Sequence, residues 1–370
     1  MEIFKLLIII ILFFMIFIIK KKYLKIYFIF VSIILAIIAF NFEPPKGYDL
    51  VRHYSMLENC RQYGWEYIIN HRDYNTLPVG AIYMYAISLL GNNGFLPAIT
   101  SFITYMSVFI VMYKFCEEKK YTKESIIFAF FTFVAVFNYV GLISGIRNNL
   151  CLALYFYFLY NDLVKNKNVI MSMVAYVVLA FIHPSIFVLI FIRLLLYLKN
   201  RKVSLLIKIG LLSWSLLKNL VVGFLANFTS ISIINLIVQK MNSYTVEEAM
   251  AVANVPLYTF VYCTIDIVLL LIFFKYKRNS QEDANLQKYN KFVTYMFCFV
   301  FGAIYEYHFF VRMSNFLLML NLIPIIYLFS KKSIINSKYN IPNSILKIML
   351  VVEIVAFLIF FFMGQYQVLF

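Results

Sequence analysis

A chain of 370 residues has room for two or three soluble domains, but a composition that is 63% hydrophobic, 19% aromatic and only 14% charged argues for a membrane protein instead. The net charge of +16 would suit nucleic acid if the cations were gathered on one face of a soluble fold. They lie instead in short gaps between apolar runs, the pattern that keeps loops on the cytoplasmic side of a bilayer, so nucleic acid is excluded as a partner.

The first apolar run, Ile3 to Ile19, has the look of a signal peptide, yet no small-residue cleavage site separates it from Lys20, Lys21 and Lys22, and it reads as an uncleaved span. A spanning helix takes roughly 20 apolar residues. On that basis the sequence predicts an all-α, polytopic fold of about 12 transmembrane helices, near 3–19, 23–40, 95–114, 125–143, 145–161, 168–182, 185–199, 203–224, 257–275, 291–304, 313–330 and 344–363. One further stretch, 77–91, starts at Pro78 and ends in Gly91-Asn92-Asn93-Gly94; its length suits a re-entrant or interfacial segment.

Charge decides the register of that topology. If 77–91 does not cross, the loops at 20–25, 114–124, 162–167, 199–202, 275–291 and 331–338 share one side and carry 21 of the 33 basic residues, which makes that side cytoplasmic. If it crossed, the last five of those loops would move outside while Lys20 to Lys25 stayed in. Two sizeable outer loops follow, 41–78 and about 225–256. The first is mixed and nearly neutral, with Lys46, Arg52, Arg61 and Arg72 against Glu43, Asp49, Glu58, Glu66 and Asp73. No internal repeat or linker divides the chain, so 1–370 reads as one helical membrane domain. The five cysteines are scattered and lack C-x-x-C spacing, so they read as packing residues.

Polar residues out of place in a membrane converge on the outer side. Asp49, Arg52, His53 and Tyr54 lie in the first outer loop; Arg147 opens the span at 145; His183 closes the span at 168; Glu306, His308 and Arg312 lie in the outer turn after 304. His71 joins them, so all four histidines fall outside. Ionisable groups at membrane depth are costly and face a bundle interior or a wet cavity, which marks this convergence as a candidate site. Each member also has a plain reading: Arg147 snorkelling to headgroups, His183 capping a turn in His183-Pro184-Ser185, Arg312 binding lipid, and 49–54 forming an amphipathic interfacial helix. Arg193, Lys208 and Lys218 near helix ends read as snorkelling side chains, while Asp266 and Glu353 sit within spans without an obvious partner.

No His pair at i,i+3 or i,i+4 and no H-E-x-x-H occurs, so no metal is expected, and no motif calls for a cofactor. Hydrolase, nucleotide-binding and thiol-redox motifs are likewise absent. Arginines bind phosphate bidentately and tyrosines offer faces to sugar rings, so a lipid-linked pyrophosphoryl sugar would suit this residue set. In glycosyl transfer from such a donor, arginine stabilises the departing pyrophosphate, and a carboxylate or imidazole takes the proton of the attacking hydroxyl.

Gly47-Tyr48-Asp49-Leu50-Val51-Arg52-His53-Tyr54, Gly145-Ile146-Arg147 and Ile182-His183-Pro184-Ser185 together resemble the EpsG family, Wzy-like polymerases of exopolysaccharide, capsule and O-antigen, over residues 40 to 330. The resemblance implies a bacterial inner-membrane enzyme that joins undecaprenyl-pyrophosphate-linked oligosaccharide repeat units on the outer face, working beside a flippase and a chain-length regulator. It matches Asp49 and Tyr54 to the family's outer-loop residues, Arg147 to the arginine of its G-x-R element and His183 to its later histidine. One departure is Asn148, where the family commonly has glutamine. On this reading Arg147, Arg312 and Arg52 hold pyrophosphate, Asp49 or His183 is the base, and Tyr54 and Trp65 line the sugar path. The rival readings are a flippase or transporter, a ligase of lipid-linked glycans, and a membrane acyltransferase.

Overall fold

The computed structural model describes residues 10–72, 74–243, 255–279, 284–330 and 342–364, and within them every regular element is a helix. The start of the first expected span, Asp73, the end of the second outer loop and the basic loop 331–338 lie outside the described residues.

After a 3-10 turn at Met15–Phe17 and another at Lys21–Tyr23, helix α1 (Leu24–Phe40) runs to Asn41, where Pro44 and Pro45 prevent its continuation. The first outer loop is itself helical. Helix α2 (Asp49–Tyr63) begins with a carboxylate in its first turn, where the helix dipole favours negative charge. It ends at Gly64, whose φ of 75° suits glycine and few other residues. Then come α3 (Trp65–Asn70) and α4 (Pro78–Ser88), the latter with Pro78 in the first turn, a position that needs no N–H. At 11 residues, α4 is about 16 Å long, roughly half a bilayer core; it packs against α2 and α3.

The centre of the bundle is built on α5 (Phe95–Glu118), α6 (Lys123–Val136), α8 (Ile146–Leu159) and α16 (Tyr307–Phe329), with α7 (Tyr139–Ser144) as a short step before α8. Helix α5 buries Thr100, Ser101, Thr104 and Ser107 along one face, and these small side chains let α1 and α8 approach closely, the usual solution where lipid gives no hydrophobic drive. Helix α16 is the most enclosed, packed on α6, α8, α14 (Val255–Asn279) and α15 (Ala284–Gly302). The remaining helices are α9 (Val169–Ala180), α10 (Ser185–Leu194), α11 (Arg201–Leu212), α12 (Trp214–Ala226), α13 (Ser232–Ser243) and α17 (Asn343–Gly364).

Among the described residues four helical segments are long and apolar enough to cross a membrane: Lys21–Phe40, Phe95–Glu118, Thr259–Arg278 and Tyr307–Phe329. The run at 203–224, expected as one straight span, is instead two helices bent by 93° at Ser213. The bend is held by the end of α15. Ser215 Oγ donates to the Gly302 carbonyl, and a Cβ at Gly302 would overlap the Leu211 carbonyl oxygen, so only glycine permits this approach. With the bent pair the segments among the described residues number five, and Pro78–Ser88, Val169–Ala180 and Ser185–Tyr197 are shorter apolar helices.

Contacts sort the loops into two ends. At the basic end Lys21 Nζ donates to the Tyr121 carbonyl (2.8 Å), Lys165 pairs with Glu118, and Lys291 Nζ donates to the Leu198 carbonyl (2.7 Å). At the opposite end the Gly80 N–H donates to the Phe181 carbonyl (3.0 Å) and Lys218 pairs with Glu306 (3.2 Å).

Candidate active site

The site begins in the first turn of α2. Asp49 accepts from Arg52 at 2.8 Å (i,i+3) and lies 3.5 Å from His53 Nε2 (i,i+4), the spacings at which helix side chains meet. Arg52 is half exposed, whereas the His53 ring is buried. Burial alone would raise the Asp49 carboxyl, but the hydrogen bond from His53 and the guanidinium groups of Arg52 and Arg147 hold it below the usual carboxylate range. Burial, reinforced by Arg147, pushes the His53 imidazole down, so it stays neutral at neutral pH.

Arg147 reaches this cluster from the first turn of α8. The break between α7 and α8 at Gly145 is fastened by Asn149, whose Nδ2 donates to the carbonyls of Gly141 (3.0 Å) and Gly145 (3.3 Å). Asn138 caps α7 by accepting from the Gly141 N–H at 2.7 Å. With Asn149 committed to the backbone, the preceding residues point elsewhere. The Arg147 guanidinium lies 4.6 Å from the centre of the Tyr74 ring, a cation–π contact supplied by the turn before α4. Arg147 is 9% exposed, and among the described residues no acceptor lies within hydrogen-bond distance of it.

Asn148 carries the site toward α10. Its Oδ1 accepts from Ser185 Oγ at 3.0 Å, and Ser185 Oγ lies 2.8 Å from His183 Nδ1. Asn148 thus makes a side-chain hydrogen bond of its own. Asn148 Nδ2 is buried and has no partner among the described residues. On the far side of His183, a cavity of about 90 Å³ is bounded by His183, Ser185, Trp214, Glu306, Phe309 and Arg312, and by Ile237 and Met241 of α13. Burial pushes the Glu306 carboxyl up, against the pull of Lys218.

The predicted residues therefore fall into two adjoining groups. Asp49, Arg52, His53 and Arg147 form one, joined by Tyr74; His183, Glu306 and Arg312 share the other, and the neighbours Arg147 and Asn148 link them. Three predicted residues stand aside. Tyr54 donates to the Phe42 carbonyl at 3.4 Å, with burial pushing its phenol up to about 12; Trp65 is 37% exposed with its ring edge-on to Tyr85; the His308 ring lies edge-on to Tyr307.

Two snorkelling assignments are overturned. Arg193 is buried in a bidentate pair with Asp162 (2.7 and 3.0 Å), which also accepts from Tyr176, and Lys218 turns inward to Glu306. Asp266 and Glu353 do have partners, Ser314 at 2.7 Å and Thr264 at 3.2 Å. Tyr74, Asn148, Ser185 and Lys218 are the site residues that sequence reasoning passed over. The polarity of Asn148 and the His-Pro-Ser turn were the available signals for two of them; nothing in the sequence marked Tyr74.

The comparisons with known proteins divide sharply. No curated protein and no solved structure matches the chain. The family model described as EpsG family matches residues 26–369, nearly the whole length, and includes every residue of both groups; the chain belongs to the EpsG family.

Proposed function

We propose that this chain is a polysaccharide polymerase that joins undecaprenyl-pyrophosphate-linked oligosaccharide repeat units by glycosyl transfer. The family suggests a Wzy-like polymerase in exopolysaccharide biosynthesis. The observation that carries the finer reading is Arg147: a buried guanidinium, held by an aromatic face and lacking a hydrogen-bond acceptor among the described residues, is a site for an anion brought by substrate. The pyrophosphate of the donor supplies that anion.

In the reaction an acceptor hydroxyl attacks the anomeric carbon of the donor sugar. The new C–O bond forms as the bond to the pyrophosphate oxygen breaks, and lipid pyrophosphate leaves with the electron pair. Arg147 and Arg312 stabilise the growing negative charge. Of the two candidate bases, His183 fits better. Its Nδ1 is engaged with Ser185, which Asn148 orients, and the ring borders the cavity. Asp49 is held ionised by Arg52, His53 and Arg147, which makes it a weak base and suits it to positioning Arg147. The cavity is smaller than the roughly 300–1,000 Å³ of ligand pockets, so admitting a sugar requires movement of α13, which closes one wall with Ile237 and Met241.

The positive-inside rule puts the basic loops in the cytoplasm and this site on the outer face of a bacterial inner membrane, with about 12 crossings in all. The test is a gel of lipid-linked and surface glycan from cells lacking the protein, complemented with wild type or Arg147→Ala. Accumulation of single repeat units on the outer leaflet without a ladder is expected. Units trapped on the cytoplasmic leaflet would instead assign a flippase.

A further inference from the structure

Inside the bundle, Asp266 interrupts the buried stripe of α14, in which Tyr262, Leu269 and Phe273 precede and follow it at i−4, i+3 and i+7. It is fully buried, while its neighbour Ile267 is exposed on the outer surface of the bundle. Asp266 Oδ2 accepts from Ser314 Oγ of α16 at 2.7 Å, Oδ1 has no partner, and no cation pairs with the carboxyl among the described residues. A group so placed acts through its hydrogen bond and not through an ion pair. Leucine in its place would pack against α16 without the cost of desolvating a carboxyl, so stability does not account for the aspartate. What the pair adds is register. Apolar side chains tolerate sliding of one helix along another, whereas a buried hydrogen bond has one partner at one height.

Register matters because of what else α16 carries. Successive residues of an α-helix are about 100° apart, so Arg312, two before Ser314, projects about 200° away from it. Ser314 faces α14, and Arg312 faces the cavity that His183 and Glu306 border. At the start of α16, Glu306 is tied to Lys218 of α12 at 3.2 Å. The turn bearing Arg312 thus lies between two polar ties, one at the head of the helix and one behind it. A slip of α16 by one residue would carry Arg312 about 1.5 Å along the axis and swing it about 100° out of the cavity wall.

We propose that Asp266 is a positioning residue: through Ser314 it fixes the register of α16 and so holds Arg312 toward the pyrophosphate of the donor. The role rests on the assignment of Arg312 to pyrophosphate, and the experiment separates the two. The full chain, purified in detergent, is titrated with geranylgeranyl pyrophosphate by native mass spectrometry, with thermal unfolding followed beside it. Asp266→Leu, which packs without the hydrogen bond, should match or exceed the wild-type Tm and yet bind about tenfold more weakly. Asp266→Asn keeps an acceptor for Ser314 and should bind as wild type does. In an Arg312→Gln background Asp266→Leu should cause no further loss, because the arginine it positions is gone. Should Asp266→Leu fail to fold, Ser314→Ala, which deletes one hydroxyl, makes the same comparisons. Unchanged binding by Asp266→Leu, a loss that merely follows a fall in Tm, an equal loss in Asp266→Asn, or an additive loss in the Arg312→Gln background overturns the proposal. Absence of binding by wild type would instead sink the pyrophosphate assignment, and this role with it.

Discussion

Two buried arginines, Arg147 and Arg193, sit near opposite ends of the bundle and are held in different ways. Arg193 meets Asp162 through two hydrogen bonds, and Tyr176 completes the carboxylate's coordination, so both charges are answered within the protein. Arg147 rests on the Tyr74 ring, and the nearby Asp49 is already engaged by Arg52 and His53. An arginine whose carboxylate partner is fully coordinated holds helices together; one whose surroundings answer its charge only in part is equipped to receive an anion. Burial alone does not separate the two roles, and the hydrogen-bond partners do.

The largest effects should come from breaking these two arginines. Arg193→Ala leaves Asp162 buried and uncompensated, a loss of about 3–5 kcal/mol that should remove the protein from the membrane. The joint replacement Asp162→Leu with Arg193→Met should recover much of it, because well-packed apolar groups can replace a buried ion pair. Arg147→Ala should do the reverse, leaving protein abundance near wild type while polymer falls by at least ~100-fold. Immunoblots of membranes set beside glycan gels check both halves. If Arg147→Ala loses protein as Arg193→Ala does, the contrast fails.

His183→Gln tests the base and should lower turnover by about 10²–10⁴-fold. Ser185→Ala leaves the imidazole in place but unoriented, so a loss of about tenfold is expected. Its pH–rate profile should keep the wild-type acid limb, with activity falling as the base takes up its proton. A profile governed by a group below the usual carboxylate range would return the role of base to Asp49.

A smaller effect concerns pH and stability. His53 has its folded value lowered from 6.5, so as pH falls below 6.5 the unfolded chain takes up the proton first. The stability it contributes is full above that value and is lost as pH falls toward the folded value. Protection factors across α2, taken relative to the intrinsic exchange rate at each pH, should therefore fall on mild acidification, and His53→Gln should remove that fall. Trp65→Ala, with its ring on Tyr85 and a third of its surface open, should change polymer yield least.

Much of this was legible locally. The Asp49, Arg52 and His53 cluster follows from helical spacing alone, and the polarity after Gly145 points to Arg147 and Asn148. What was illegible depends on tertiary placement. Arg193 and Asp162 are 31 residues apart, and near a helix end a paired arginine has the same sequence surroundings as a snorkelling one. Lys218 reads as a snorkelling lysine until the bend at Ser213 turns α12 toward Glu306. That bend is set by Gly302, so an apolar run of the right length at 203–224 reads as a straight span when taken by itself. Tyr74 has no local signal, since any tyrosine in a loop could have supplied the aromatic face.

The central claim, that Arg147 receives the pyrophosphate of the donor, is tested most directly by binding. Purified wild type and Arg147→Gln would be titrated with geranylgeranyl pyrophosphate in detergent and followed by native mass spectrometry. Arg147→Gln should bind at least tenfold more weakly, while geranylgeraniol, which lacks the pyrophosphate, should not distinguish the two proteins. Equal affinity of both proteins for the pyrophosphate would contradict the account.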